Sequence, residues 1–164
     1  MHRRLGINLV LLTLVGLLGL WVWHSQPPAF QPLTALQPQQ VEEIAISDLS
    51  GRQIILRKRD GVWLSGGSLA NAERVAQFLG ICQTPSLERF SAPSELSAYG
   101  LDPVLILLRL NGVELRIGST DPINGWRYVQ IGGQIHLIAD GFYHHLTAPP
   151  EAWLETPDAR TAGG

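Results

Sequence analysis

From Val41 onward apolar and polar positions alternate with a period of two, the pattern of strands buried on one face. In "EEIAISDL" Ile44 and Ile46 share a face, and Ser50-Gly51 then turns the chain. "RQIILRK" sets Ile54 and Leu56 on one side against Ile55 and Arg57 on the other. Asp60-Gly61 predicts a tight hairpin turn leading into "VWLS". After Gly66-Gly67 the period changes. Leu69, Ala72, Val75, Ala76 and Leu79 recur at helical spacing, Ser68 or Asn71 is placed to cap, and Gly80 ends the run. A second short helix is expected from about Pro93 to Tyr99-Gly100.

The stretch "YGLDPVLILLRLNGVELRIGST", residues 99–120, carries two independent signals. Asn111-Gly112 is the favoured dipeptide of a two-residue type I′ turn. Folding about it pairs Leu110 with Val113, Arg109 with Glu114, Leu108 with Leu115 and Ile106 with Ile117. One face is then wholly apolar, and the other carries a cross-strand ion pair. Turn and pattern agree on one register. "WRYVQIGGQIHLIA" predicts a further hairpin about Gly132-Gly133, "DGFYHHL" a short helix, and "APPEAWL" a helical turn. The fold class expected is α+β: a small antiparallel-sheet domain with one main helix and short helical turns, over residues 41–154. The tail, 155–164, has almost nothing to bury and is expected to be disordered.

Ahead of this domain the pattern is of another kind. Residues 5–23 carry no charge and only Asn8 and Thr13 as polar side chains. At about 1.5 Å per residue such a helix reaches roughly 28 Å, close to the hydrocarbon thickness of a bilayer. The run ends in Trp21-Val22-Trp23, bulky residues suited to a membrane interface and poor as a signal-peptide cleavage site. Arg3 and Arg4 place the N-terminus in the cytoplasm. Residues 1–24 are therefore expected to be an n-region and an uncleaved transmembrane anchor. Residues 25–40, with Pro27, Pro28, Pro32 and Pro38, are a Pro/Gln-rich linker that extends or packs along the domain.

A net charge of −2 removes the electrostatic ground for nucleic-acid binding. Cys82 is the one cysteine, which excludes an internal disulfide. It follows the apolar face of the main helix, and a buried structural thiol is the expectation. His136, His144 and His145 make a poor metal set, because adjacent histidines on a helix diverge. Asp102 and Asp121 each precede a proline and read as turn openers rather than as an acid–base pair. "SGGS", 65–68, lacks the lysine of a phosphate-binding loop and reads as a hinge between strand and helix. No GxSxG elbow occurs. No catalytic residue, metal site or cofactor is expected. Two features suit a partner. Trp126 follows the polar loop "STDPING" and can anchor a contact. On the apolar run Asn8, Gly16 and Gly19 share a side, where small residues admit another helix and Asn8 can hydrogen-bond across it.

The sequence from 41 to 140 resembles the bacterial family catalogued as Domain of Unknown Function 4340. The residues that carry the resemblance are "DGVWLS" (60–65), "LANAERVAQFLG" (69–80), "YGLDP" (99–103), "RIGST" (116–120) and "GWRYVQIGGQIHLI" (125–138). The resemblance implies an envelope-facing, membrane-anchored domain, associated in some relatives with ABC-type transport or gliding-motility membrane components. It transfers no catalytic residue. The expectation is a single-pass inner-membrane protein with a periplasmic domain that binds other envelope proteins. The alternatives are a periplasmic enzyme with scattered site residues and a module for lipid or another small ligand.

Overall fold

The computed structural model describes residues 11–18 and 31–156. The described residues form an α+β domain built on one antiparallel sheet of nine strands. In chain order these are β1 (Glu43–Asp48), β2 (Gln53–Arg59), β3 (Val62–Ser65), β4 (Ser68–Leu69), β5 (Glu88–Ser91), β6 (Ile106–Leu110), β7 (Val113–Thr120), β8 (Arg127–Ile131) and β9 (Gln134–Ile138). Across the sheet they run β4-β3-β2-β1-β6-β7-β8-β9-β5. The main helix is Ala72–Leu79, and a shorter one spans Tyr143–Leu146.

The hairpin of β6 and β7 has the predicted register, from Leu110↔Val113 to Ile106↔Ile117. Asn111 and Gly112 both adopt positive φ, 49° and 85°, as a type I′ turn requires. Arg109 and Glu114 pair at 3.1 Å on the exposed face. The Asn111 side chain does more than turn the chain. Its Oδ1 accepts the backbone N–H groups of Glu42 and Glu43, and its Nδ2 donates to the Gln40 carbonyl. One amide thus ties the hairpin to the start of β1.

The sheet has a core face and a divided face. Ile44, Ile46, Leu56, Leu108, Leu110, Leu115, Ile117 and Val129 are buried on the core face. They pack with Val75, Phe78 and Leu79 of the main helix, Ile81 and Cys82 beyond it, and Trp153. The edge of the Phe78 ring meets Trp153 at 5.3 Å. At one end of this layer Arg127, 8% exposed in its side chain, is bound to Asp140 at 2.5 and 2.9 Å. Its guanidinium also donates to the Gly118 carbonyl and stacks 3.6 Å from the Tyr143 ring centroid.

Two features depart from the pattern-based expectation. Gly66-Gly67 is not a hinge into a helix. Both glycines take positive φ, 57° and 93°, and turn β3 back into β4. Leu69 therefore lies in a strand, 52% exposed, and the helix starts three residues later with Asn71 as its cap, accepting the Arg74 N–H at 2.9 Å. Its buried face is Val75, Phe78 and Leu79, while Ala72 and Ala76 are exposed. β5 was not legible as a strand, because its partner is β9, more than forty residues away. Of the two courses expected for the Pro/Gln-rich segment, its described part, residues 31–40, takes the second and packs along the domain. The Leu33 and Thr34 N–H groups donate to the Thr84 and Cys82 carbonyls, and the Ser86 N–H donates to the Gln31 carbonyl. The folded unit thus begins at or before Gln31.

Among the described residues no helix is long and apolar enough to cross a membrane. Residues 11–18 are helical, and all eight are exposed. The rest of the apolar run, the tail beyond 156 and residues 25–30 lie outside the described residues.

Candidate interaction surface

The divided face of the sheet is covered over one half only. From β5 the chain crosses β9, β8 and β7 to reach β6, which lies in the middle of the sheet. This crossing buries Leu101, Ile135 and Leu137 beneath it. Tyr99 meets Tyr128 edge-on at 5.0 Å and Phe90 at 5.7 Å. The Arg116 guanidinium donates to the Leu101 carbonyl and to Gln130. A single-residue bulge between Ile117 and Thr120 lets Gly118 sit directly beneath Tyr99.

Over β4, β3, β2, β1 and β6 the same face lies open. Register brings Leu69 and Leu64 into a row with Arg57 and Glu43, and Val62 into a row with Arg59. Ile55, Ala45 and Arg109 form the adjoining row. Ile55, Arg57, Arg59, Leu64, Gly66 and Gly67 line a shallow concavity of about 380 Å³. Val62 is 47% exposed and Leu69 52%, so the apolar content of this face is presented to the surroundings. Arg57 reaches Glu43 at 3.4 Å, an exposed pair that contributes little on its own. The Arg59 side chain has no hydrogen-bond or ion-pair partner among the described residues. The surface therefore sets apolar side chains beside the exposed Arg57–Glu43 pair and the guanidinium of Arg59. The sequence hinted at it: Ile55, Val62 and Leu64 occupy strand positions of the parity opposite to the core.

The residues weighed for chemistry are dispersed. Cys82 is fully buried, and burial raises its thiol pKa. Thr34 Oγ1 donates to its backbone carbonyl, so the site is structural in geometry. Asp121 accepts the Asn124 N–H at 3.1 Å and closes its own loop. Asp102 precedes Pro103 through a cis peptide within the crossing segment. Among the described residues no group of three or more His, Cys, Asp or Glu side chains is gathered to hold a metal. His144 and His145, expected to diverge, instead have ring centroids 3.9 Å apart. Trp126 is half-buried at the base of its loop, where its carbonyl accepts the Asp121 N–H. Gly16 is helical, with open space where a side chain would project. Asn8 and Gly19 lie outside the described residues.

Two buried histidines should make stability depend on pH. Ser86 Oγ donates to the Glu88 carbonyl, so it accepts from His136 Nδ1–H at 2.9 Å. Burial first, then the facing Arg89, pushes the His136 pKa down. For His145 burial again leads, followed by His144 and Arg74. A lowered folded-state pKa means that the unfolded chain binds more protons, so stability falls as pH drops below about 6.5. The melting temperature should decline from pH 7.5 to pH 5. A His136→Asn/His145→Gln double variant should flatten that decline; an undiminished slope would assign it to other groups.

Comparison with protein-family models, with curated proteins and with solved structures finds no match to this chain.

Proposed function

We propose that this protein is a membrane-anchored accessory protein of the bacterial inner membrane. Its N-terminus lies in the cytoplasm, its domain lies in the periplasm, and it acts by binding another envelope protein. The observation that carries the reading is the uncovered half of the sheet, where Leu64, Val62 and Leu69 are presented beside Arg57 and Arg59. Such a surface suits an apolar partner segment with acidic flanks: the floor supplies contact area and the arginines supply orientation. A sheet face of this kind gains by being covered, since exposed contiguous apolar area is otherwise a liability.

Two further points support the anchor. Leu11, Leu12, Leu14, Val15, Leu17 and Leu18 are each more than half exposed, so the folded domain does not bury this helical segment. The resemblance to the family of membrane-anchored domains adds the expectation of a membrane complex, with ABC-type transporter components as one class of partner. Asn8, Gly16 and Gly19 then offer a second contact, on a partner's transmembrane helix.

A photocrosslinking residue in place of Leu64, in the full chain in native membranes, tests the reading. The expected product is a single adduct with a membrane protein, lost when Arg59→Glu and Ile55→Glu are added to a chain that still folds. Adducts that persist in that double variant, or none beyond self-crosslinks, would reject the open face as the binding surface.

A further inference from the structure

The loop between β7 and β8 exposes an isoleucine to an unusual degree. Ile123 is 87% exposed, more than Leu49, Val62 or Leu69. The loop is not slack. The Asp121 N–H donates to the Trp126 carbonyl at 2.6 Å, the Gly125 N–H to the Asp121 carbonyl at 2.8 Å, and the Asn124 N–H to Asp121 Oδ2 at 3.1 Å. Tyr128 buttresses the same carboxylate at 3.4 Å. A closed loop with its base fixed thus holds an isoleucine at its tip. From Pro122 to Trp126 it carries no charge.

The position of this tip is informative. Glu88, Leu137 and Tyr128 lie in one row across β5, β9 and β8. Ser86 precedes Glu88 by two residues, and Trp126 precedes Tyr128 by two, so both lie beyond the same end of the sheet. Gln31 is bonded to Ser86 and to Arg89 there. Going back towards the N-terminus, seven residues, 24–30, separate Gln31 from the apolar run. Fully extended they span at most about 25 Å. A domain of this size has a radius of gyration of about 14 Å. With an anchor at residues 5–23, the end bearing Gln31 is the end held to the membrane. Leu49, 60% exposed in the turn between β1 and β2, lies at that end too. The opposite end shows the turns Arg59-Asp60-Gly61, Asn111-Gly112 and Gly132-Gly133.

We propose, resting on the membrane-anchored reading, that the 121–126 loop is a second membrane contact. Ile123 enters the boundary between headgroups and acyl chains, and Trp126 sits at headgroup level. Tryptophan favours that zone, and an uncharged tip enters it without desolvating an ion. One isoleucine binds a bilayer weakly when free, but the tether makes its insertion intramolecular and raises its effective concentration. The contact fixes how the domain stands on the bilayer, and with it the direction in which the open sheet face points.

The test uses the full chain in vesicles of phosphatidylethanolamine and phosphatidylglycerol, with an environment-sensitive fluorophore on Ile123→Cys or, at the opposite end, on Gly133→Cys. A side chain at Gly133 meets open space. The unsubstituted chain, whose one thiol is buried, is the labelling blank. The expected result is blue-shifted emission at 123, quenched by lipid-borne nitroxide, with water-like emission at 133. A chain that floats with the vesicles but reports water at 123 overturns the loop contact and leaves the anchor standing. Blue-shifted emission at 123 without lipid quenching also overturns it, assigning the tip to a protein contact. A chain that fails to float removes the anchor and the loop contact together.

Discussion

Leu108→Asp should abolish cooperative folding, while Leu107→Asp, one residue away, should leave a folded domain. Leu108 is fully buried on β6, in the middle of the sheet, between Ile46 of β1 and Leu115 of β7. Removing its side chain alone forfeits packing worth about 2–5 kcal/mol. A carboxylate there has no partner among those neighbours, and an unpaired buried charge adds several kcal/mol more. The sum approaches the roughly 5–15 kcal/mol that holds a typical domain together. Leu107 points the other way, onto the partly exposed face opposite Ser47 and Arg116. Urea denaturation followed by circular dichroism should show a transition for Leu107→Asp and none for Leu108→Asp. Equal effects would contradict the two-faced sheet.

That contrast was readable in advance because local and tertiary preferences agree along residues 104–117. Asn111-Gly112 fixes the register, and a one-residue slip would turn Leu108, Leu110 and Leu115 out of the core. Where the sequence misled, the deciding interaction was distant. Leu69 sits at helical spacing from Val75 and Leu79, yet Gly66-Gly67 turns the chain, and the Ala70 N–H donates to the Trp63 carbonyl. Ala70 also bridges Leu154, and the Glu155 N–H donates to the Leu69 carbonyl. Leu154 and Glu155 are remote in sequence, so no window of a dozen residues around Leu69 contains them. For residues 31–40 the prolines left two courses open, extension or packing along the domain. Proline cannot donate to a ladder, but Leu33 and Thr34 between the prolines can, and they do so to residues 84 and 82.

The candidate surface was less legible than the core. A buried face declares itself by being uniformly apolar, whereas a binding face mixes apolar and charged positions and resembles ordinary strand exterior. Arg57 was visible as the outer side of β2, but its neighbour across the ladder, Leu64, belongs to another strand. Only the register joins them. Trp126 was singled out for standing beside a polar loop, yet it is Ile123 in that loop that the fold exposes more fully. The loop's own hydrogen bonds turn the tryptophan to its base and the isoleucine to its tip.

Gly118→Val should cost about 3 kcal/mol or more, and Gly118→Ala about 1–3 kcal/mol, the range for overpacking a filled site. Gly118 lies in the β7 bulge, where the crossing segment descends onto the sheet. A Cβ there would overlap the Tyr99 carbonyl oxygen and press on the Leu101 side chain at 3.1 Å. Backbone cannot swing aside as a flexible side chain can, so the crossing segment must lift. Lifting it uncovers Leu101, Ile135 and Leu137 and strains the bond from Arg116 to the Leu101 carbonyl. Gly118 also lends its own carbonyl to Arg127, so displacement of the bulge loosens the Arg127–Asp140 pair on the other side of the sheet. Gly133→Ala is the matched control, at a turn where a Cβ meets nothing. The expected outcome is a clear drop in the urea midpoint for Gly118→Ala, a larger one for Gly118→Val, and little change for Gly133→Ala. The loss should come with faster hydrogen exchange at Leu101 and its neighbours. Equal midpoints for Gly118→Ala and Gly133→Ala would mean that the crossing segment does not rest on the bulge, and half of the divided face would then be open as well.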